Sequence, residues 1–445
     1  MSKQPIQAIL IGAGQRGMNA YAPYALQHPD QVQFVAVAEP DPQRRGQFAA
    51  QHNIPKNLQF ESWEPLLERS QLGQAALICT QDQMHTAPTL AALNAGYDIL
   101  LEKPMATTLA ECQQLVRAAE DADRQLHICH VLRYTTHFKK LREVIQSGEL
   151  GQIVDVHHRE NVSYWHMAHS FVRGHWRNTA ESSPMILAKC CHDLDVLVWL
   201  FDDRCNTLSS IGNLMHYRPE NAPPGAPERC LDGCPVAESC PFYAPRIYLD
   251  MIPIFQNQAA ARRGFDRWAL QTQIENPGLI SVLSPIIPRL REITEYRGWP
   301  KSVIANDVTP EHILQALREG PYGRCVYHCD NDVVDHQVVS MQFERGTSVT
   351  LTMHGHSYLE GRSTRIEGAK ATLFATFGMD GDRIEIHDHR SGTKATHDTR
   401  PAGDSGHGGG DDGLMAAFVK ALQSGTETDA MTTGRNSLES HLMAF

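Results

Sequence analysis

Short, unbroken apolar runs recur through the first third of the chain. They are Ile6–Ile11, Val32–Ala38, Ala75–Cys79, Tyr97–Leu101 and Leu126–Cys129. Each is of strand length and shows little alternation, the pattern of a strand buried on both faces. Between them lie stretches with helical spacing. Helices are predicted at Pro42–His52, at Trp63–Ser70 and from Thr86 to a stop at Gly96; another opens with the capping box Thr108-Leu-Ala-Glu111. Strands alternating with helices predict a doubly wound parallel sheet whose ligand sites lie beyond the carboxyl ends of the strands. A helix over Thr136–Ser147 follows, and then the period changes. Ile153–Arg159, Gln337–Phe343, Ser348–His354, Ser363–Ile366, Thr372–Phe377 and Arg383–His387 read as strands punctuated by glycine turns. They predict an α+β domain with a large, mainly antiparallel open sheet. The expected division is residues 1–130 and 131–445, with a Pro-, Cys- and Arg-rich inserted lobe at about 218–300.

The first strand runs into Gly12-Ala-Gly14-Gln15-Arg16-Gly17, and a helical pattern follows. Strand, Gly-x-Gly-x-x-Gly turn and helix, in that order, form a dinucleotide-binding fingerprint. Gly12 permits the tight turn, Gly14 a close approach to a pyrophosphate and Gly17 close packing of helix on strand. Glu39 ends the second strand, where a carboxylate accepts ribose hydroxyls and repels a 2′-phosphate. It favours NAD, although Arg44 and Arg45 leave NADP open. The same sheet edge carries Thr80–His85 and Glu102-Lys103-Pro104, where Lys103 is placed to donate a proton or to hold a ribose or substrate hydroxyl.

A strongly apolar helix is predicted over Met185–Phe201, with Lys189, His192 and Asp195 forming one polar stripe. Polar groups on such a helix need partners or a cleft. His192 then reads as general acid or base, oriented by Asp195 or Lys189; the alternative is a buried network that fixes packing. Trp165, His166, Arg173 and Trp176 crowd one segment in the mixture of aromatics and donors that suits a sugar or polyol. A surface loop dense in His and Trp is one other reading; His166 and His169 as metal ligands, with no third ligand evident at conventional spacing, are another. Cys230, Cys234 and Cys240 suit a structural zinc with Cys205, Cys325 or Cys329 as a fourth ligand; the alternatives are packed thiols and, with less support, an iron–sulfur cluster. His407 and Asp411 flank a glycine run, either as a loop to a substrate cleft or as a linker and helix cap.

The 445 residues carry a formal charge of −11, which disfavours nucleic acid and anionic membrane as partners. No apolar run is of membrane-spanning length. The first strand begins almost at the N-terminus, without signal-peptide features, so a cytoplasmic location is expected. The eleven cysteines are then expected as thiols or metal ligands.

Gly12-x-Gly-x-x-Gly, Thr80…His85, Glu102-Lys103-Pro104, His130-Val-Leu-Arg133-Tyr134 and His192-x-x-Asp195 together resemble the Gfo/Idh/MocA oxidoreductases. The resemblance covers the N-terminal domain, the second domain to about 205, and again from about 335. It implies a Rossmann domain joined to an open-sheet domain and an NAD(P)-dependent oxidoreductase acting on a sugar, inositol or related polyol. It also implies a homodimer or homotetramer packed through the sheet. Lys103 and His192 match the family's catalytic pair, with Arg133 toward the substrate. Many members have Asp four residues before that histidine; here the position is Ala188, which leaves the orienting group open. An NAD-dependent glycoside hydrolase and a non-catalytic dinucleotide- or sugar-sensing regulator are the rival readings.

Overall fold

The apolar runs of the first third pair as parallel strands. They are β1 (Ile6–Ile11), β2 (Val32–Ala38), β3 (Gln59–Phe60), β4 (Ala75–Ile78), β5 (Asp98–Leu101) and β6 (Leu126–Ile128). The sheet order is β3-β2-β1-β4-β5-β6, which places the order reversal at β1 and β4. Both faces are covered. Leu10, Leu77 and Leu100 point into one apolar cluster, while Ile9, Ile78 and Leu101 point into the other. The computed structural model describes residues 4–379, 381–401, 406–425 and 430–445. It divides into two compact units, one of residues 1–147, 186–205 and 401–445, the other of 148–185 and 206–400.

In the first unit the sequence has a second function for its late residues. Phe418 and Val419 of the Gly406–Ser424 helix join the same cluster as Leu10 and Leu77. Gly410 of this helix sits where a Cβ would lie 2.5 Å from the Val131 carbonyl oxygen. Gly413 packs as closely on Tyr134, where a Cβ would lie 2.9 Å from that side chain. The glycines that look like a linker in sequence therefore admit close helix packing.

The second unit is built on a sheet of β7 (Ile153–Ser163), β8 (Cys205–Asn213), β9 (His336–Phe343), β10 (Ser348–Ser357), β11 (Gly361–Gly368), β12 (Ala371–Phe377), β13 (Arg383–Asp388) and β14 (Lys394–Asp398). Its order is β14-β13-β12-β11-β7-β10-β9-β8. All its named pairings are antiparallel except β7 with β10. One register row, Ile386–Leu373–Ile366–Val156–Val349–Met341, crosses six strands and is buried throughout. The next row, Glu385–Phe374–Arg365–His157–Thr350–Ser340, faces the other way and is polar apart from Phe374. β8 and β14 escape the sequence pattern because both are edge strands with almost wholly exposed residues, leaving no apolar alternation to read.

The region expected as an insertion at about 218–300 is a helical lobe that continues to Gly323. Its core gathers Ile247, Tyr248, Ile254, Phe255, Leu270 and Leu317, and takes in Trp165.

His127 of β6 illustrates how this packing constrains charge. It is 2% exposed, and its ring meets Phe418 edge-on at 5.4 Å. Burial pushes its pKa down to about 4. Between that value and the ordinary 6.5 the unfolded chain binds the proton and the folded one does not, so stability rises with pH across this window. Urea unfolding from pH 7 to pH 4 should show a fall in stability that is shallower in His127→Phe.

Candidate active site

The site grows from the turn after β1. Gly12 has φ of +93°, and a Cβ there would lie 2.6 Å from the Cys79 carbonyl oxygen. A Cβ on Gly17 would lie 2.3 Å from the Gly12 carbonyl oxygen. Both glycines are demanded by the fold. Gly14 differs, since a Cβ there would meet no atom within 4 Å. The open space at Gly14 lies where a ligand's phosphates approach backbone N–H groups, so the cradle fits a pyrophosphate. The Gln15–Tyr21 helix that follows is π-helical before it continues as α over Ala22–Gln27. Gln15 stays exposed at its start and accepts a hydrogen bond from Asn19.

Glu39, 3% exposed, closes the cradle on the β2 side. Its Oε2 accepts from the Ala13 N–H at 2.7 Å and its Oε1 from the Asp41 N–H at 3.0 Å. Arg44 reaches Oε1 at 3.2 Å, while Arg45 donates to the Glu39 carbonyl. A carboxylate has about four acceptor positions, so capacity remains for a ribose hydroxyl.

Glu102 is the junction of the site. It is 4% exposed at the end of β5. Oε1 receives Arg16 Nε at 2.6 Å and the Tyr21 hydroxyl, and Oε2 receives the Lys103 N–H at 2.9 Å. Burial alone would raise this carboxyl's pKa, but the Arg16 guanidinium, Lys103 and the Tyr21 hydrogen bond outweigh it and hold it below the usual value. Arg16 continues the network, its Nη2 reaching Asp411 Oδ1 at 2.8 Å. Asp411 in turn lies 3.1 Å from His407 Nδ1. Asp411 is buried, which would raise it, yet His407 and Arg16 hold it far below the usual carboxylate range. His407-Gly-Gly takes three successive positive φ angles, and this left-handed turn brings the histidine back over Asp411.

Lys103 is placed by its neighbours on both sides. His85 is 1% exposed; its Nδ1 lies 2.7 Å from the Pro104 carbonyl oxygen and its Nε2 3.2 Å from that of Thr80. It ties the loop after β4 to the loop after β5. The Lys103 ammonium donates to the Ala188 carbonyl at 2.7 Å. That acceptor exists because the helix expected over Met185–Phe201 is broken. Met185–Ala188 and Cys191–Phe201 are separate helices with a turn at Lys189-Cys190. An unbroken helix would commit the Ala188 carbonyl to the His192 N–H. The break also puts Lys189 in the turn, off the predicted stripe.

His192 lies in the first turn of the second helix and is 7% exposed. His130 packs edge-on to it at 5.7 Å between centroids, and His407 lies at 6.3 Å. Asp195, fully buried one turn on, binds Arg133 through two hydrogen bonds of 2.6 and 2.7 Å. Arg133 is 4% exposed, so this pair clamps the 131–134 turn to the helix of His192. His130 is buried with Nε2 3.8 Å from Asp195, and burial, His441 and Arg133 push its pKa well down. His441 accepts from the Met105 N–H at 2.9 Å and faces the Ser437 carbonyl at 2.8 Å, the pattern of a neutral Nδ1–H ring. Tyr21, His130 and His441 were not expected here. Tyr21 and His441 look like core positions of amphipathic helices, and only the pairing of distant segments gives them partners.

The remaining predicted residues belong to the second unit. Trp165 is 4% exposed in the lobe core, against Trp299. His166 pairs with Glu360 at 2.9 Å. Arg173 is 1% exposed and donates to the carbonyls of Arg324 and Phe242. Trp176 is half-buried and stacks on Phe171.

Residues 6–130 match the sequence profile described as oxidoreductase family, NAD-binding Rossmann fold, and 138–225 match that of the GFO/IDH/MocA C-terminal domain. Both matched stretches belong to the Gfo/Idh/MocA oxidoreductase family. The first unit of the chain holds the family's NAD-binding Rossmann fold. The inositol 2-dehydrogenase of Leifsonia xyli subsp. xyli is 29% identical over 171 residues, 37% of this chain and 44% of that protein. The matches to the first curated relatives span only 40 to 44% of those proteins' length. Two solved structures share the fold over nearly the whole chain. An aldose-aldose oxidoreductase from Caulobacter crescentus complexed with glycerol has a TM-score of 0.62 at 13% identity, covering 98% of this chain and 94% of that one. The WlbA dehydrogenase from Bordetella pertussis, in complex with NADH and UDP-GlcNAcA, has a TM-score of 0.62 at 16% identity, covering 100% and 95%.

Removing one side of the Arg133–Asp195 pair leaves a buried charge uncompensated. Asp195→Asn should lose about 3–5 kcal/mol of unfolding free energy by urea titration; an unchanged midpoint would show that the pair does not hold the His192 helix.

Proposed function

We propose that this chain is an NAD-dependent oxidoreductase that moves a hydride to or from a hydroxyl-bearing carbon of a sugar, inositol or related polyol. One observation carries the reading: the Glu102 carboxylate joins the Arg16 of the glycine turn to the backbone of Lys103, whose ammonium reaches the helix break beside His192. The cofactor cradle and Lys103 thereby share one network that ends at the Ala188 carbonyl, four residues before His192.

When bound, the nicotinamide accepts or donates the hydride. The protein's part is orientation and proton transfer. Gly12, Gly14, Arg16 and Gly17 shape the pyrophosphate cradle, with Gln15 at its rim, and Glu39 receives the adenosine ribose. Thr80, His85 and Glu102 fix the two loops that flank the nicotinamide end. Lys103 places a positive donor against the reacting oxygen, and His192 takes the hydroxyl proton or returns it. The Ala188 carbonyl supplies an acceptor for Lys103. Asp195 serves His192 through Arg133, as a positioning residue. Lys189 stands in the turn between the two helices, beside His192 in sequence.

Glu39 supports NAD over NADP. A buried carboxylate at the ribose repels a 2′-phosphate, and Arg44 is already paired with it. Of Trp165, His166, Arg173 and Trp176, expected to meet a substrate, Trp165 and Arg173 are buried in the lobe, while His166 and Trp176 are partly exposed. Association into a homodimer or homotetramer through the open sheet is part of the same reading, supported by exposed Phe374 and Val338 on its strands. All eleven cysteines are free thiols in the structure, which suits a reducing cytoplasm. Among the described residues no helix is long and apolar enough to cross a membrane.

Lys103→Ala should lower kcat by about two to four orders of magnitude while NAD affinity by calorimetry changes less than about threefold. Equal losses in both would make Lys103 a cofactor ligand only. Glu39→Ser should erode the preference for NAD over NADP by at least about tenfold in kcat/KM, and an unchanged ratio would take discrimination away from Glu39.

A further inference from the structure

The lobe holds a small cavity of about 10 Å³ to which Cys230, Cys234, Cys240 and Cys325 all contribute, among Arg173, Phe242 and further mainly apolar neighbours. The chain brings these thiols together deliberately. Arg229 and Arg324 form an isolated antiparallel bridge. On either side of it Cys230 N–H donates to Gly323 at 2.9 Å and Cys325 N–H to Glu228 at 2.8 Å. Cys234 and Cys240 come from the tight turns that follow, each succeeded by proline.

Arg173 gives the cavity its charge problem. Its guanidinium is 1% exposed and reaches Cys230 Sγ at 3.5 Å. It also donates to the neutral carbonyls of Arg324 and Phe242 and faces the Tyr248 hydroxyl. Among the described residues no carboxylate pairs with it. A buried cation needs a buried anion, and the groups that can supply one here are the thiols, as thiolates.

The size of the void narrows what those thiolates hold. Zinc draws four sulfurs to about 2.3 Å from the metal, a packing that leaves no void between them. This cavity instead holds its thiols apart around a space that a single water-sized body does not fill. Among the described residues no three His, Cys, Asp or Glu side chains converge on a single ion position. Thiols spread around an apolar-walled space fit a polynuclear centre, whose own core keeps the cysteine sulfurs apart. We propose that Cys230, Cys234, Cys240 and Cys325 ligate an iron–sulfur cluster of the [4Fe–4S] type, with Arg173 offsetting the negative charge of its thiolate shell.

The test is metal and sulfide analysis of the full-length protein purified without oxygen, then treated with ferric iron, sulfide and excess dithiothreitol, the thiol reducing part of the iron to the mixed-valence level of the cluster. The expected result is iron and acid-labile sulfide in equal amounts, about four of each per chain, with broad visible absorption that dithionite bleaches. Cys234→Ser/Cys325→Ser should hold less than a tenth of that iron, while Cys112→Ser, altered in the other unit, keeps it. One zinc per chain without sulfide overturns the proposal. So does protein that takes up neither element on reconstitution, or a double variant that retains the full cluster. None of these readouts depends on turnover of nicotinamide.

Discussion

The first unit depends on one buried carboxylate having enough positive and hydrogen-bonding partners to stay ionised. Glu102 sits at the end of a central strand where desolvation opposes its charge, and Arg16, Tyr21 and the Lys103 N–H together overcome that cost. Each partner comes from a different part of the site. Arg16 belongs to the glycine turn and Tyr21 to the helix behind it, while Lys103 follows the strand. One charge therefore fixes the cofactor cradle and the lysine against each other, and Arg16 extends the constraint to Asp411, nearly the length of the chain away.

A second constraint works in parallel at His192. The Arg133–Asp195 pair is buried and bidentate, and it holds the helix that presents the histidine. Around it, burial pushes the pKa values of His130 and His441 down. The helix breaks before His192, and the Ala188 carbonyl released at the break accepts from the Lys103 ammonium.

Much of this was legible in the sequence. The parallel strands, the glycine turn, Glu39 and the Lys103-Pro104 edge follow from local pattern, because buried parallel strands and close backbone approaches restrict residue type strongly. The helix break at Lys189-Cys190 was not legible, since Lys, Cys and His all tolerate helix and tertiary contacts decided the matter. β8 and β14 carry no apolar alternation because they lie at exposed edges. Tyr21, His441 and the Arg173 cavity depend on segments distant in sequence, and no spacing rule relates them. Asp411 could be named from sequence but not placed, since its partner Arg16 lies in the first strand's turn.

The most direct measurement is reduced-nicotinamide absorbance when purified protein is mixed with NAD and a panel of pyranoses, inositols and glycosides. Hydride transfer at the Lys103–His192 site predicts NADH formation with at least one free sugar or polyol, absent in Lys103→Ala. Cleavage of a glycoside with no NADH, or NAD binding with no turnover on any member of the panel, would contradict it.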